Sequence, residues 1–413
     1  MQATLLFLMH TLHTPQLGLK ENIRPFLMLV VVNAFVGAMI GVERSIFPEF
    51  ASTRFHIQGT TLLLSFIIIF GIAKAIANYF SGYLATKYSR KTVLLLGWIL
   101  ALPVPIIFIY APSWAWVVAA NVLLGIHQGF TWSSTVVMKI DLVGPKNRGL
   151  AMGFNEFAGY IAIAFMAFFT AYIADHWGVY PYPFYLGLAV AIIGLLLTIF
   201  FVKDTGQFVQ LDAASSAGIP RLRNIFLDTS FLHRQLSSVT QAGLVNNLND
   251  GMIWGLFPIL LATKSFALVD IGIITSVYPA VWGLSQIVTG KLADLYSKKS
   301  LLFWGMFLQA IAIFYLLWAE SFGEMITISV TLGIGTALVY PTFLATISDY
   351  THPLDRSKSL GIFRFWRDSG YAMGALITGL TADRWGLESA IVFIGVVTMG
   401  SAGVILFRMR GRL

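Results

Sequence analysis

The chain has 413 residues, 57% of them hydrophobic and 11% charged, with a mean hydropathy of +0.78. A soluble domain carries roughly 25% charged residues, so this composition excludes one and indicates an all-α integral membrane protein. Cysteine is absent, which excludes disulfides, thiol nucleophiles and iron–sulfur clusters, and the net charge of +8 is read as basic cytoplasmic loops rather than a nucleic-acid surface.

In chain order, the opening MQATLLFLMH has no basic residue before its apolar run and no cleavage site. It reads as a tail or interfacial segment, not a signal peptide. Twelve apolar segments follow, near 25–48, 60–85, 92–111, 114–139, 150–174, 183–202, 236–261, 268–290, 300–318, 324–348, 358–382 and 388–407. Segments of about 20 residues cross a ~30 Å hydrocarbon core as helices. Runs such as LGLAVAIIGLLLTIFFV (186–202) lack the alternation of a transmembrane strand. The longest polar stretch, 203–235, lies between spans six and seven. The expected organisation is therefore a tail (1–24), a six-helix bundle (25–202), a cytoplasmic linker (203–235), a second six-helix bundle (236–407) and a C-terminal tail (408–413).

The second half repeats the first at an offset of 208. SGYLATKYSRK (81–91) returns as TGKLADLYSKK (289–299), LGI (124–126) as LGI (332–334), and ADHWG (174–178) as ADRWG (382–386). Asp141, Pro145 and Arg148 return as Asp349, Pro353 and Arg356. A constant offset over so long a stretch predicts two pseudo-symmetric bundles in parallel repeat. With the N-terminus in the cytoplasm, 20 Lys and Arg fall on cytoplasmic segments and 3, Arg54, Lys264 and Arg384, on outer loops. That bias predicts a multi-pass protein of the plasma (inner) membrane with both termini inside. Lys139, Arg148 and Arg356 are counted among the cytoplasmic loop residues.

The duplicated basic turns lie between spans two and three and between eight and nine. Gly82 and Gly290 let neighbouring helices approach closely, and the cations suit helix C-termini and anionic lipid heads. On these residues the chain resembles the major facilitator superfamily, whose signature on this turn is G-x-L-A-D-R-x-G-R-K. Gly82, Leu84, Ala85, Arg90 and Lys91 fit the first copy; Gly290, Leu292, Ala293, Asp294 and Lys299 fit the second. The resemblance covers roughly 20–407, and it implies that Asp294 contacts the opposite half and helps hold an outward-open state. Thr86 stands where the first copy would have its acid, so the latch is expected to be asymmetric. Gly125 replaces the Arg that precedes Gln128–Gly129 in proton-coupled drug exporters of that family, and 153–174 lacks their Gly-Pro pair. A standard multidrug antiporter is therefore disfavoured.

Ionised groups at membrane depth are the sharpest functional signal. A charge at mid-helix costs about 2.5–3.5 kcal/mol on insertion scales. Arg44, Lys74, Arg364, Arg367, Glu43, Glu156, Asp250 and Asp368 must therefore face a cavity or each other. Lys74 and Asp368 each lie about ten residues, or roughly 15 Å, from the cytoplasmic side. They are read as a gating or proton-sensitive pair, or as a fixed structural one. Arg364, Arg367 and Asp368 share a helix face, and two guanidinium groups suit a carboxylate or phosphate. For Arg364, snorkelling to the interface is an equal reading.

Glu156, at the repeat position of Arg364, is a candidate proton carrier or a partner of Asn155 or Gln286. In LVNNLNDGMIWG the spacing groups Asn246, Asn249 and Asp250 on one face, with Asn247 pointing elsewhere. That face reads as substrate contact or interhelical bonding. Gln128 and Trp132 add hydrogen bonds and an aromatic surface, with His127 beside them. Glu43 and Arg44 line the cavity or mark the rim of the first span.

No metal-spaced histidines, Ser–His–Asp set or phosphate-binding glycine loop occurs, so neither an enzyme nor a metal or cofactor is expected. The reading is a monomeric secondary transporter working by alternating access. Its substrate is a small organic solute, anionic, zwitterionic or amphipathic, and proton coupling and facilitated diffusion are both open. A lipid or headgroup transporter, and a non-transporting sensor or assembly factor on the same scaffold, are the alternatives.

Overall fold

The computed structural model describes residues 15–411 apart from 45, 58, 59, 216–218 and 267. Twelve helical spans carry the fold. In the first half these are α1 (Ile23–Arg44), α2 (Thr60–Lys87), α3 (Arg90–Ala101, then Pro103–Tyr110), α4 (Trp114–Val143), α5 (Arg148–Trp177) and α6 (Tyr182–Phe201). In the second they are α7 (Arg234–Thr263), α8 (Leu268–Leu295), α9 (Lys298–Tyr315), α10 (Phe322–Asp349), α11 (Pro353–Trp385) and α12 (Leu387–Arg408). A short helix, Phe47–Phe55, follows α1, and the linker folds its own helix, Gly206–Ser215. The predicted third span is interrupted, because proline starts its second piece and cannot continue the hydrogen-bond ladder from the first.

Helix ends follow local chemistry. Ser89 accepts from Thr92 N to start α3, and Ser321 with Glu324 forms a capping box on α10. The repeated ADxWG sequences end α5 and α11 in the same way. Gly178 and Gly386 have φ of +92° and +88°, a region glycine adopts without a side-chain clash, and each N–H returns 2.9 Å to Ala174 O or Ala382 O.

The packing repeats as the sequence does. In the first half α1 packs on α5 and α6, and α4 on α2 and α3; in the second α7 packs on α11 and α12, and α10 on α8 and α9. Seven of the described helices are long and apolar enough to cross a membrane by composition alone. Helices such as α4, α7 and α11 are diluted by polar residues that turn inward. Large apolar side chains such as Phe200, Phe407 and Leu376 cover the outside, as expected of a lipid-facing surface.

The halves meet along two matching seams, α2 on α11 and α5 on α8. A Cβ on Gly82 would lie 2.4 Å from Ser357 O, and one on Gly290 would lie 2.5 Å from Gly149 O. Gly153 and Gly361, themselves repeat mates, likewise abut Gln286 O and Asn78 O. Backbones at these crossings touch, so no larger residue fits without separating the helices. Among the described residues, the polar and aromatic contacts that join the halves directly run from this linker end to the middle of the bundle.

Candidate functional site

Around the two seams gather Lys74, Glu156, Asp250, Arg364, Arg367 and Asp368, six of the charges that the sequence places at membrane depth. Asp368 on α11 is the hub. Its Oδ1 accepts from Arg367 Nε at 2.8 Å and from Arg367 Nη2 at 2.7 Å, and its Oδ2 accepts from Asn78 Nδ2 of α2 at 2.5 Å. Asn247 Nδ2 of α7 stands 3.5 Å from the same carboxylate, and Asn247 Oδ1 accepts from Tyr340 at 3.2 Å. The Arg367 guanidinium also lies 5.3 Å from the Tyr340 ring centroid.

From this hub a chain of hydrogen bonds crosses the seam again. Asn78 Oδ1 accepts from Ser133 Oγ of α4 at 2.6 Å, and Ser133 Oγ accepts from Arg364 Nη1 at 3.3 Å. Arg364 Nη2 stands 3.8 Å from Glu156 Oε1. Glu156 accepts from Trp132 Nε1 at 3.2 Å and Asn155 Nδ2 at 2.9 Å, and Lys139 Nζ donates to Asn155 Oδ1 at 2.7 Å.

Lys74 and Asp368 form no direct ion pair in this conformation, among the described residues. The Lys74 ammonium lies 5.6 Å from the Trp132 ring and 5.7 Å from the Phe70 ring. Among the described residues no carboxylate comes within 4.0 Å of it, because Asn78 and Arg367 already occupy Asp368. Lys74 is half-buried, whereas Arg364 and Lys139 are fully buried. Beside Lys74 the rings of Trp132, Tyr160, Trp282 and Tyr340 form a continuous aromatic wall, with centroids 4.2–5.8 Å apart between neighbours.

The α7 residues divide differently from the expected face. Asn247 and Asp250 turn to the centre, where Tyr278 donates its hydroxyl to Asp250. Asn246 and Asn249 turn away: both bond Gln309 of α9, each at 3.0 Å, and Asn249 Oδ1 accepts from Thr398 of α12 at 2.7 Å. Either pair, spaced i, i+3, makes a helical face, so spacing alone could not choose. Gln128 donates to Val36 O of α1 at 2.6 Å, and His127 contacts Gly97 O at 3.0 Å. Arg367 is held by its neighbour Asp368 rather than standing free beside Arg364. Glu43 is buried near the end of α1; the side chain of Arg44 lies outside the described residues.

The linker end carries a second polar cluster. Asp294 accepts from Gly149 N at 2.7 Å and Leu150 N at 2.9 Å, so it caps the N-terminus of α5 in the opposite half. Thr86, its repeat mate, bonds only its own helix among the described residues. Arg90 pairs with Asp141 at 3.2 Å, Lys91 donates to Ile199 O at 3.0 Å and Lys299 to Gly411 O at 3.2 Å.

Lys139, Arg148 and Arg356, counted above as loop cations, are buried instead. Arg148 and Arg356 converge on one oxygen, Asp212 Oδ2 of the linker helix, at 2.9 and 2.7 Å. Arg221 of the linker forks onto Asp355 at the start of α11 at 2.5 and 2.7 Å, and this hydrogen bonding raises its already high pKa. Asn78, Lys139, Tyr340 and Asp212 were not singled out by sequence. Arg148 and Arg356 carried a signal, their repeat relationship, that loop assignment obscured.

The chain matches the profile of the Major Facilitator Superfamily over 26–235 and 239–412. It is 22% identical over 409 residues to the proton-coupled antiporter flippase LtaA of Staphylococcus haemolyticus, covering 96% of this chain and 97% of that relative. The Staphylococcus aureus protein of the same name is 24% identical over 371 residues, covering 87% of this chain and 88% of its own. Among solved structures, the human organic anion transporter MFSD10 superposes with a TM-score of 0.75 at 14% identity, covering 92% of this chain and 99% of that one. At that identity the likeness is one of fold.

Proposed function

Since the chain belongs to the Major Facilitator Superfamily, we propose that it carries an amphipathic solute with an anionic headgroup, a lipid or lipid-like molecule, across the membrane by alternating access. The observation that carries this reading is Lys74. A half-buried ammonium beside an aromatic wall, with no carboxylate of the described residues within 4.0 Å, offers charge to a ligand and apolar surface to the rest of it. Trp132, Tyr160, Trp282 and Tyr340 would hold the apolar part. Lys74 would meet the headgroup, with Arg367 joining once Asp368 is protonated and lets it go.

The linker end is assigned to the cytoplasm, by the basic bias of its loops. With both seams closed there, the conformation is outward-facing, and Asp294 supports that closure. Proton coupling would run through Asp368, which Arg367 and Asn78 contact and near which Lys74, Arg364, Glu156, Asp250 and Tyr340 cluster. Relatives named proton-coupled antiporter flippases support both the lipid and the proton parts of the proposal.

The test is a screen of the purified protein for thermal stabilisation by lipids, organic acids, amino acids and drugs. The best binder is then followed in liposomes with and without a pH gradient. Stabilisation by anionic amphiphiles, and transport that accelerates with the gradient, is the expected result. Stabilisation by small soluble acids alone would move the substrate class to organic anions.

A further inference from the structure

On the linker side of Asp368, at the α2–α11 seam, lies a small cavity of about 10 Å³. Its wall comes from both halves: Ser81, Gly82 and Ala85 of α2 and Ser133, Ser134 and Val137 of α4 on one side, Ser357, Gly361 and Arg364 of α11 on the other. Arg364 is fully buried, yet its Nε and Nη2 have no hydrogen-bond partner among the described residues. Among the described residues, Ser134 Oγ and Ser357 Oγ, also buried in this wall, have none either. Buried polar atoms are almost always satisfied, and a cluster that is not calls for an occupant.

The charge of the surroundings indicates which occupant. The network holds four cations, Lys74, Lys139, Arg364 and Arg367, against three carboxylates, Glu156, Asp250 and Asp368. With all seven groups ionised, one positive charge is left over. Glu156, the carboxylate nearest Arg364, stands 3.8 Å away and already accepts from Trp132 and Asn155. A guanidinium buried without full compensation is costly. The unmet groups are two N–H donors and two hydroxyls able to donate, a set that suits an anion.

We propose that this cavity binds a single halide-sized anion, chloride under physiological conditions, between Arg364, Ser134 and Ser357. The space is on the scale of a single water or small ion. Because α2 and α4 belong to one half and α11 to the other, the site is complete only while the linker end is closed. Chloride therefore stabilises the closed seam and leaves when the halves part. Arg364 would serve this site, not the transported headgroup.

The experiment compares the purified full chain in sodium chloride, bromide, gluconate and phosphate at equal ionic strength. Halides are expected to raise the melting temperature by about 2 °C or more over gluconate. They are also expected to speed crosslinking of cysteines introduced at Tyr83 and Lys358, where the Lys358 ammonium lies 5.1 Å from the Tyr83 ring. Arg364→Gln should abolish both effects. Ser134→Ala with Ser357→Ala, which keeps the guanidinium, should weaken them and so guards against a misfolded Arg364 variant. Equal melting in halide and gluconate would mean that water fills the cavity and would overturn the proposal. So would a halide effect that survives both variants, or stabilisation by phosphate with none by halide.

Discussion

Glu156 and Arg364 occupy equivalent positions in the two repeats, 208 residues apart, and face each other across the seam at 3.8 Å. Duplication placed one residue of each half near the pseudo-symmetry axis, and divergence gave them opposite charge. Removing one partner of a buried ion pair typically costs about 3–5 kcal/mol, because the other charge is left uncompensated. Glu156→Gln is therefore expected to lower the melting temperature of the detergent-purified protein. The exchange Glu156→Arg with Arg364→Glu is expected to recover part of that loss. A swap no better than the sum of its single variants would show that the two charges do not interact.

A second pair of repeat mates, Arg148 and Arg356, shares one carboxylate oxygen of Asp212. The linker helix thus pins both halves at one point. Asp212→Asn keeps the shape and removes the charge that holds two guanidinium groups together. It should loosen the linker end, read as faster proteolysis within 203–235 and a shift of spin-label distances across α5 and α8. Wild-type proteolysis and distances in this variant would make Asp212 a passive filler.

Backbone contact at the seams predicts a steep dependence on side-chain size. Gly82→Val or Gly149→Val puts carbon 2.3–2.4 Å from an opposing carbonyl oxygen, so the closed seam must open. A Cβ on Gly71, on the same helix α2 as Gly82, meets nothing within 4 Å among the described residues, so Gly71→Val is the control. Transport is expected to fall by at least an order of magnitude for the first two and to stay near wild type for the third. Equal behaviour of Gly71→Val and Gly82→Val would remove the role of close packing.

Lys74 and Asp368 should separate binding from coupling. Lys74→Ala is expected to weaken binding of an anionic amphiphile tenfold or more, the loss of about 1.4 kcal/mol of charge attraction, while leaving the melting temperature near wild type. Asp368→Asn keeps the size, loses the charge that holds Arg367, and is expected to give transport that no longer responds to a pH gradient. Full transport with a normal pH response in Lys74→Ala would remove it from the mechanism.

Asp294 and Thr86 test the asymmetry of the two basic turns. Asp294→Ala deprives Gly149 N and Leu150 N of their acceptor at a helix N-terminus, an interaction worth about 0.5–2 kcal/mol for caps in general. It should destabilise the closed linker end measurably in crosslinking between α5 and α8. Thr86→Ala should be silent, since that hydroxyl bonds only its own helix among the described residues. An equal response of the two variants would contradict the asymmetry.

Much of this architecture is written along the chain, because burial in lipid forces apolar runs of fixed length and because duplication leaves a constant offset. The span positions, the parallel repeat and the equivalence of Glu156 with Arg364 or Arg148 with Arg356 need no coordinates. The rotation of each helix in its bundle does. Helical periodicity relates Asn246 to Asn249 and Asn247 to Asp250 equally well, and only packing against Gln309, Thr398 and Tyr340 decides which pair faces the centre. Loop cations could not be told from seam cations for the same reason. Arg148 and Arg356 are buried because the linker helix brings Asp212 to them through space, 64 and 144 residues from each along the chain. Asp368 is held by Asn78 because two glycine-lined helices touch. Sequence determined which groups had to escape lipid; the meeting of the two halves decided their partners, since a charge removed from water is settled by whatever lies within a few ångströms in space, at any distance along the chain.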